Sequence, residues 1–293
     1  MRTAPDRLLL RLEWRVIRRL DGRVQGAYRT PYRGSGLDFA GLRGYVEEDD
    51  ARHIDWNATA RLDEPQVRQF TEDRELTVWL VLDRSASMTL GAAGRGKSDV
   101  LAELALTLAR LFGRGGNRVG AVLHDGATMR FVPPGTGRGH ALRIGHEIER
   151  AATPAAVTTD FAVMLDAVAS LARRRSLIIV ISDFIGTGDW DKPLLRLVHR
   201  HDVVALRVVD AADDDLPEAG LLVVEDAETG EQLFVDTSDP LFRSRFRAGV
   251  DARDADLSGR MRRAGVPLHR VDTDRDLVEA LVEVVAGTRW RRA

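Results

Sequence analysis

The sequence predicts an α/β fold built on a doubly wound, mostly parallel sheet. Three observations predict it. Residues 76–82 (LTVWLVL) and 177–181 (LIIVI) are near-continuous apolar runs rich in β-branched residues, as in strands buried on both faces. Amphipathic helical stretches separate such runs, and strand–helix alternation implies parallel strands with right-handed crossovers. Both apolar runs end abruptly in an acid, Asp83 and Asp183, at the strand ends where open α/β sheets bind their ligands.

In chain order, residues 7–20 carry Leu8, Leu9, Leu12, Val16, Ile17 and Leu20 at helical spacing among several arginines, which reads as an amphipathic helix docked on the body. Residues 26–61 are dense in Gly, Tyr, Arg and Asp, with sparse anchors at Leu37, Phe39, Leu42, Tyr45, Ile54 and Trp56. Such a stretch cannot build its own core and is expected to pack on the rest as an irregular segment. Salt bridges between Asp49, Asp50 and Asp55 and Arg43, Arg52 and Arg61 would fix it. After the first buried strand, Ser98 can cap a helix over 99–112 with a stripe of Val100, Leu101, Leu104, Leu108, Leu111 and Phe112. Strands at 118–124 and 127–132 join through Asp125-Gly126, a hairpin signal. Pro133 to Gly137 reads as a loop before a helix at 140–151. Thr158-Thr159-Asp160 caps another amphipathic helix that opens at Phe161. A helix at 191–200 and a strand at 203–209 follow. A hairpin of 221–225 with 232–235 turns around Thr229-Gly230. A polar helix at 240–264, a strand at 267–272 and a helix at 274–286 finish the chain. The expected division is an N-terminal segment, 1–72, packed on an α/β domain, 73–293.

Composition narrows the function. With 293 residues, 44% hydrophobic and 30% charged, the chain has a globular profile and ample core. A net charge of -2 provides no bulk field for nucleic acid. No cysteine is present, which removes disulfides, thiolate nucleophiles and Cys-based zinc sites and fits a reducing compartment. No apolar run approaches the ~18 residues of a membrane helix. Arg7, Arg11, Glu13 and Arg15 interrupt any signal-peptide core, so a cytoplasmic location is the expectation.

The chemistry concentrates in oxygen donors. Asp83-Arg-Ser85-Ala-Ser87 places a carboxylate and two hydroxyls at alternate positions just past one buried strand. Asp183 follows another, and Thr158 or Thr159 stands at a helix start between them. Such hard ligands suit Mg²⁺, with Mn²⁺ or Ca²⁺ as related choices, and leave a position for a partner's carboxylate.

These residues carry a resemblance. DRSAS at 83–87, TTD at 158–160 and VISD at 180–183 are similar to the metal-ion-dependent adhesion site of von Willebrand factor A domains. The resemblance implies metal ligands at Asp83, Ser85, Ser87, Thr159 (Thr158 as the alternative) and Asp183. Upstream, GSGLDFAGLRGYVEEDDARHIDWNATAR, followed by VRQFTEDRELTVWLVLDRSASM, resembles the bacterial family called domain of unknown function 58. Glu47-Glu48 departs from that family, which often has Pro-Gly there. The family is often linked to MoxR-type AAA+ ATPases. The resemblance therefore implies a non-enzymatic, cation-dependent adaptor or chaperone-like partner of such an ATPase, of its client, or of both.

A competing motif needs weighing. Residues 91–98, GAAGRGKS, match the phosphate-binding pattern G-x-x-x-x-G-K-[ST]. In a nucleotide hydrolase the first Gly follows its strand directly, whereas here residues 83–90 intervene, so an exposed loop is preferred. A metal-free interaction scaffold is the third reading. His124-Asp125 reads as turn chemistry. His199 and His201 do not share a helical face and read as surface residues. Without a G-x-S-x-G elbow or an H-E-x-x-H pair, a hydrolase has no anchor.

Overall fold

The computed structural model describes residues 33–46, 49–71, 76–89, 95–114, 116–150, 160–186, 188–216, 218–225 and 232–287. The helix expected at 7–20, residues 90–94, Thr158, Thr159 and the turn Thr229-Gly230 lie outside them. The described residues fall into two compact units that meet in sequence between Glu75 and Leu76.

In the first unit, β1 (Arg33–Gly44) pairs antiparallel with β2 (Gln66–Thr71), with a one-turn 3-10 helix at Ala51–His53 and α1 (Trp56–Leu62) between them. The expectation of an irregular segment is corrected here. Main-chain pairing needs no apolar anchors, and register shifts between Arg33 and Asp38 and between Phe39 and Gly41 let the glycine-rich strand bend while keeping its partner. The charges do tie the segment together. Arg43 forks onto Asp49. Asp55 caps α1 by accepting from the Asn57 and Ala58 amides, and it pairs with Arg68 at 2.9 Å rather than with Arg61.

The second unit is built on β3 (Thr77–Asp83), β4 (Arg118–His124), β5 (Met129–Gly135), β6 (Leu177–Ser182), β7 (Asp202–Val209) and β10 (Leu268–Asp272), with β8 (Leu221–Glu225) and β9 (Gln232–Asp236) as a separate hairpin. Spatial order in the sheet is β10-β7-β6-β3-β4-β5, and only the β4–β5 pair is antiparallel. Counted from β3, this is the 3-2-1-4-5-6 order of doubly wound dinucleotide-binding folds. The order reverses between β3 and β6.

Trp79, Val81, Ile178, Val180, Val203 and Ala205 form one core with residues of α5 (Phe161–Leu171), α6 (Asp191–Arg200) and α8 (Pro240–Ala264). Leu80, Leu82, Ile179 and Ile181 point the opposite way and are equally buried. α3 (Lys97–Arg114) packs against β3, β4 and β7, with α4 (Gly137–Glu149) and α9 (Leu277–Gly287) beside it. Both faces are covered, which is why the β3 and β6 sequences are apolar without alternation.

Three elements depart from expectation. β5 runs through Pro133 and Pro134, where a loop was expected, because it is an edge strand and needs no N–H on its open side. α4 consequently starts at Gly137 instead of 140. A single turn, α7 (Ala211–Asp214), follows β7 behind an Asp210–Asp213 capping box. Four residues are too few for a helical period to show.

Candidate metal centre

β3 and β6 lie side by side and parallel, with Leu82 opposite Ile181. Asp83 and Ser182-Asp183 therefore emerge together at the point where the strand order reverses. Asp83 is fully buried. Its Oδ1 accepts from the Ser85 amide at 3.0 Å, closing an Asx turn, and its Oδ2 accepts from Ser182 Oγ at 2.6 Å. The turn leads into α2 (Ala86–Thr89) and brings the Ser85 and Ser87 hydroxyl oxygens 3.0 Å apart, both buried. Asp183 Oδ1 accepts from the Ile185 amide at 3.0 Å, and its Oδ2 accepts from Lys97 Nζ at 3.0 Å.

Electrostatics act in opposite directions on the two acids. Burial, reinforced by the negative charge of Asp183, pushes the Asp83 carboxyl up to about 7, although hydrogen bonds from Ser182 and Ser85 pull the other way. Its charged form thus lacks a compensating cation. Lys97 is only 2% exposed, and its ammonium spends three hydrogen bonds on two carboxylates: one on Asp183 and two on Asp213, at 3.1 and 3.0 Å. Burial lowers the lysine's proton affinity, but Asp183 and Asp213 outweigh it, and the group titrates above its ordinary value. This placement corrects the expectation that Lys97 lies in an exposed loop, and it also speaks against the phosphate-loop alternative. A side chain buried between two acids has no donor left for a nucleotide phosphate.

Of the residues read from the sequence, Asp83, Ser85, Ser87 and Asp183 converge at this rim, while Thr159 and Thr158 lie outside the described residues. Asp160 beside them caps α5 by accepting from the Ala162 amide at 2.8 Å. The donor set suits a small hard cation. Two neighbouring ligands of an octahedral Mg²⁺ at about 2.0–2.1 Å stand about 2.9 Å apart, close to the serine spacing. Among the described residues no group of three or more His, Asp or Glu side chains is arranged for a metal, so hydroxyls would share the coordination.

Sequence reasoning missed Asp213 and misassigned Lys97. A signal existed: Lys97 stands three and four residues before Val100 and Leu101, on the buried stripe of α3, where an unpaired lysine is not tolerated. Asp125 Oδ1 accepts from the Ala127 and Thr128 amides, which is the turn role expected. His199 is exposed, but His201, the C-cap of α6 just before β7, is buried, which corrects its reading as a surface residue.

Phe184, next to Asp183, holds φ at 58°, in the left-handed region. Its ring stacks on Phe161 at 5.5 Å and tilts against Trp190 at 6.4 Å. Packing there outweighs a cost of roughly 1–2 kcal/mol. Phe184→Gly is therefore expected to be more stable than Phe184→Ala, the reverse of the order elsewhere; chemical denaturation of the two variants decides it.

Residues 41–256 match the family described as protein of unknown function DUF58. An uncharacterized protein of Mycobacterium tuberculosis is 40% identical over 281 residues, covering 95% of this chain and 88% of that protein. An aerotolerance-related membrane protein from Bacteroides fragilis overlays with a TM-score of 0.46 at 14% identity, over 73% of this chain and 100% of that one. The SpRpn10 VWA domain overlays with a TM-score of 0.41 at 12% identity, over 75% of this chain and 100% of that one. With the family's profile spanning most of its length and a relative aligned almost end to end, the chain belongs to the DUF58 family.

Proposed function

We propose that this chain is a non-enzymatic protein-binding module that uses a hard divalent cation, Mg²⁺ or its relatives Mn²⁺ and Ca²⁺, to take a carboxylate from a partner protein. The observation that carries the reading is the convergence of two buried acids and two hydroxyls where the strand order reverses. Asp83 and Asp183 supply charge. Ser85 and Ser87 orient the ion, and Thr159 is expected to join them. When bound, the cation supplies an open coordination position for the partner's acid. Asp83, whose charged form is disfavoured in the bare fold, provides the affinity. The partner proposed is a MoxR-type AAA+ ATPase, its client, or both. That choice rests on the family resemblance. The location proposed is cytoplasmic.

Saturating Mg²⁺ is expected to raise the melting temperature of the wild type and leave Asp83→Ala unmoved. A ligand at about 100 times its dissociation constant adds about 2.7 kcal/mol. Equal responses in the two proteins would remove the metal from the account. Capture of a purified MoxR-type ATPase with and without chelator then tests the partner. One observation favours a metal-free scaffold instead: Lys97 already provides Asp183 with a buried positive charge.

A further inference from the structure

We propose that Lys97 sets the strength of this cation site: its ammonium holds one oxygen of Asp183 and keeps the site weak for a free divalent ion, so that the ion is retained when a partner's carboxylate adds its charge. The proposal rests on the metal reading of the site and names its regulation. Asp183 has two oxygens. One accepts a main-chain amide from Ile185, and the other accepts the Lys97 ammonium at 3.0 Å. A metal ion sharing Asp183 would therefore sit beside a fixed positive charge. Like charges at such separations repel by several times the thermal energy even at the effective dielectric typical of protein sites.

The ammonium is held rigidly. It enters from the first turn of α3, is only 2% exposed, and is bound on its far side by both oxygens of Asp213. Asp213 is itself fixed, because its Oδ2 accepts from the Asp210 amide at 3.0 Å. Asp210 in turn accepts from Thr273 Oγ1 at 2.9 Å, at the end of β10. Lys97 thus ties the β6 end to the β7 and β10 ends and cannot swing away when an ion arrives. Asp213 divides the positive charge of Lys97 and leaves Asp183 part of its own. The balance between these two acids is what tunes the site.

The test uses Mn²⁺ as the probe, with affinity read by electron paramagnetic resonance or calorimetry on the full chain. Lys97→Met keeps length and volume and removes the charge. It is expected to bind Mn²⁺ tenfold or more tightly than the wild type, and to show a larger Mn²⁺-induced gain in melting temperature from a lower metal-free starting point. A merely structural lysine would give the opposite, weaker binding. Equal or weaker binding by a folded Lys97→Met, or no binding by either protein, overturns the proposal. Equal or weaker binding by Lys97→Met with Mn²⁺ still bound fails this proposal alone, whereas no binding by either protein fails the cation-dependent reading with it, so the two failures are distinguishable. Asp213→Asn keeps the ammonium and directs it wholly at Asp183. Its affinity is expected to fall at least threefold, and a rise overturns the proposal even if Lys97→Met does not fold.

Discussion

Asp83→Asn is expected to raise the metal-free melting temperature at pH 8 and to abolish the response to divalent cations. The Asp83 carboxyl holds its proton to about 7 in the fold, against an ordinary value of 3.8. Between those values the native state binds more protons than the unfolded chain, so this group's contribution to stability falls as pH rises. The loss is complete above about pH 7, the reverse of a salt-bridged aspartate. The stability at stake is on the order of a few kcal/mol, enough for a readable rise in melting temperature. Asn preserves both hydrogen bonds, with its carbonyl accepting from the Ser85 amide and its amide donating to Ser182 Oγ. The wild-type-minus-variant stability, followed by denaturant unfolding from pH 4 to pH 8, should fall steadily; a flat difference would show that the carboxyl ionises without penalty. By the same linkage, Mg²⁺ affinity should drop about tenfold per pH unit below 7, since one proton must leave for the ion to bind.

Trp190→Ala is expected to cost about 3–5 kcal/mol, the range for a buried Trp truncated in a core, and to weaken cation binding with it. Trp190 is buried, sits edge-on to Phe161 at 6.2 Å, and carries the Arg260 guanidinium over its ring at 3.8 Å. Phe161, Phe184, Leu194, Met261 and Trp190 line one small apolar pocket, so removing the indole enlarges a space already short of contacts. Phe184 would then lose what holds it at positive φ, and Asp183 would lose its fixed neighbour. Urea unfolding and Mn²⁺ titration of the same preparation check both halves. Full destabilisation with unchanged affinity would mean that Asp183 is positioned from β6 and Lys97 alone.

Much of the α/β unit is legible in the residues themselves. β3 and β6 announce themselves because strands covered on both faces have no reason to alternate. α3 and α5 show clean apolar stripes. α8 matches its expected span, 240–264, although its surface is polar, because Asp239 caps it and Gly265 ends it in the left-handed region. The Gly- and Arg-rich β1 was not legible, since main-chain pairing leaves no hydrophobic period. Nor was β5 past Pro133, since only an edge position tolerates proline there.

The candidate site divides the same way. Local order along the chain determined that Asp83, Ser85 and Ser87 share one turn, because an Asx turn is closed by residues two apart. It also determined that two buried strands end in acids. Tertiary structure alone decided that those strands are neighbours, since strand order depends on which helices cover which face. It alone placed the Lys97 ammonium between Asp183 and Asp213, 86 and 116 residues away along the chain. A charge buried in a core must find its counter-charge wherever the fold brings one, and no spacing along the sequence encodes that meeting.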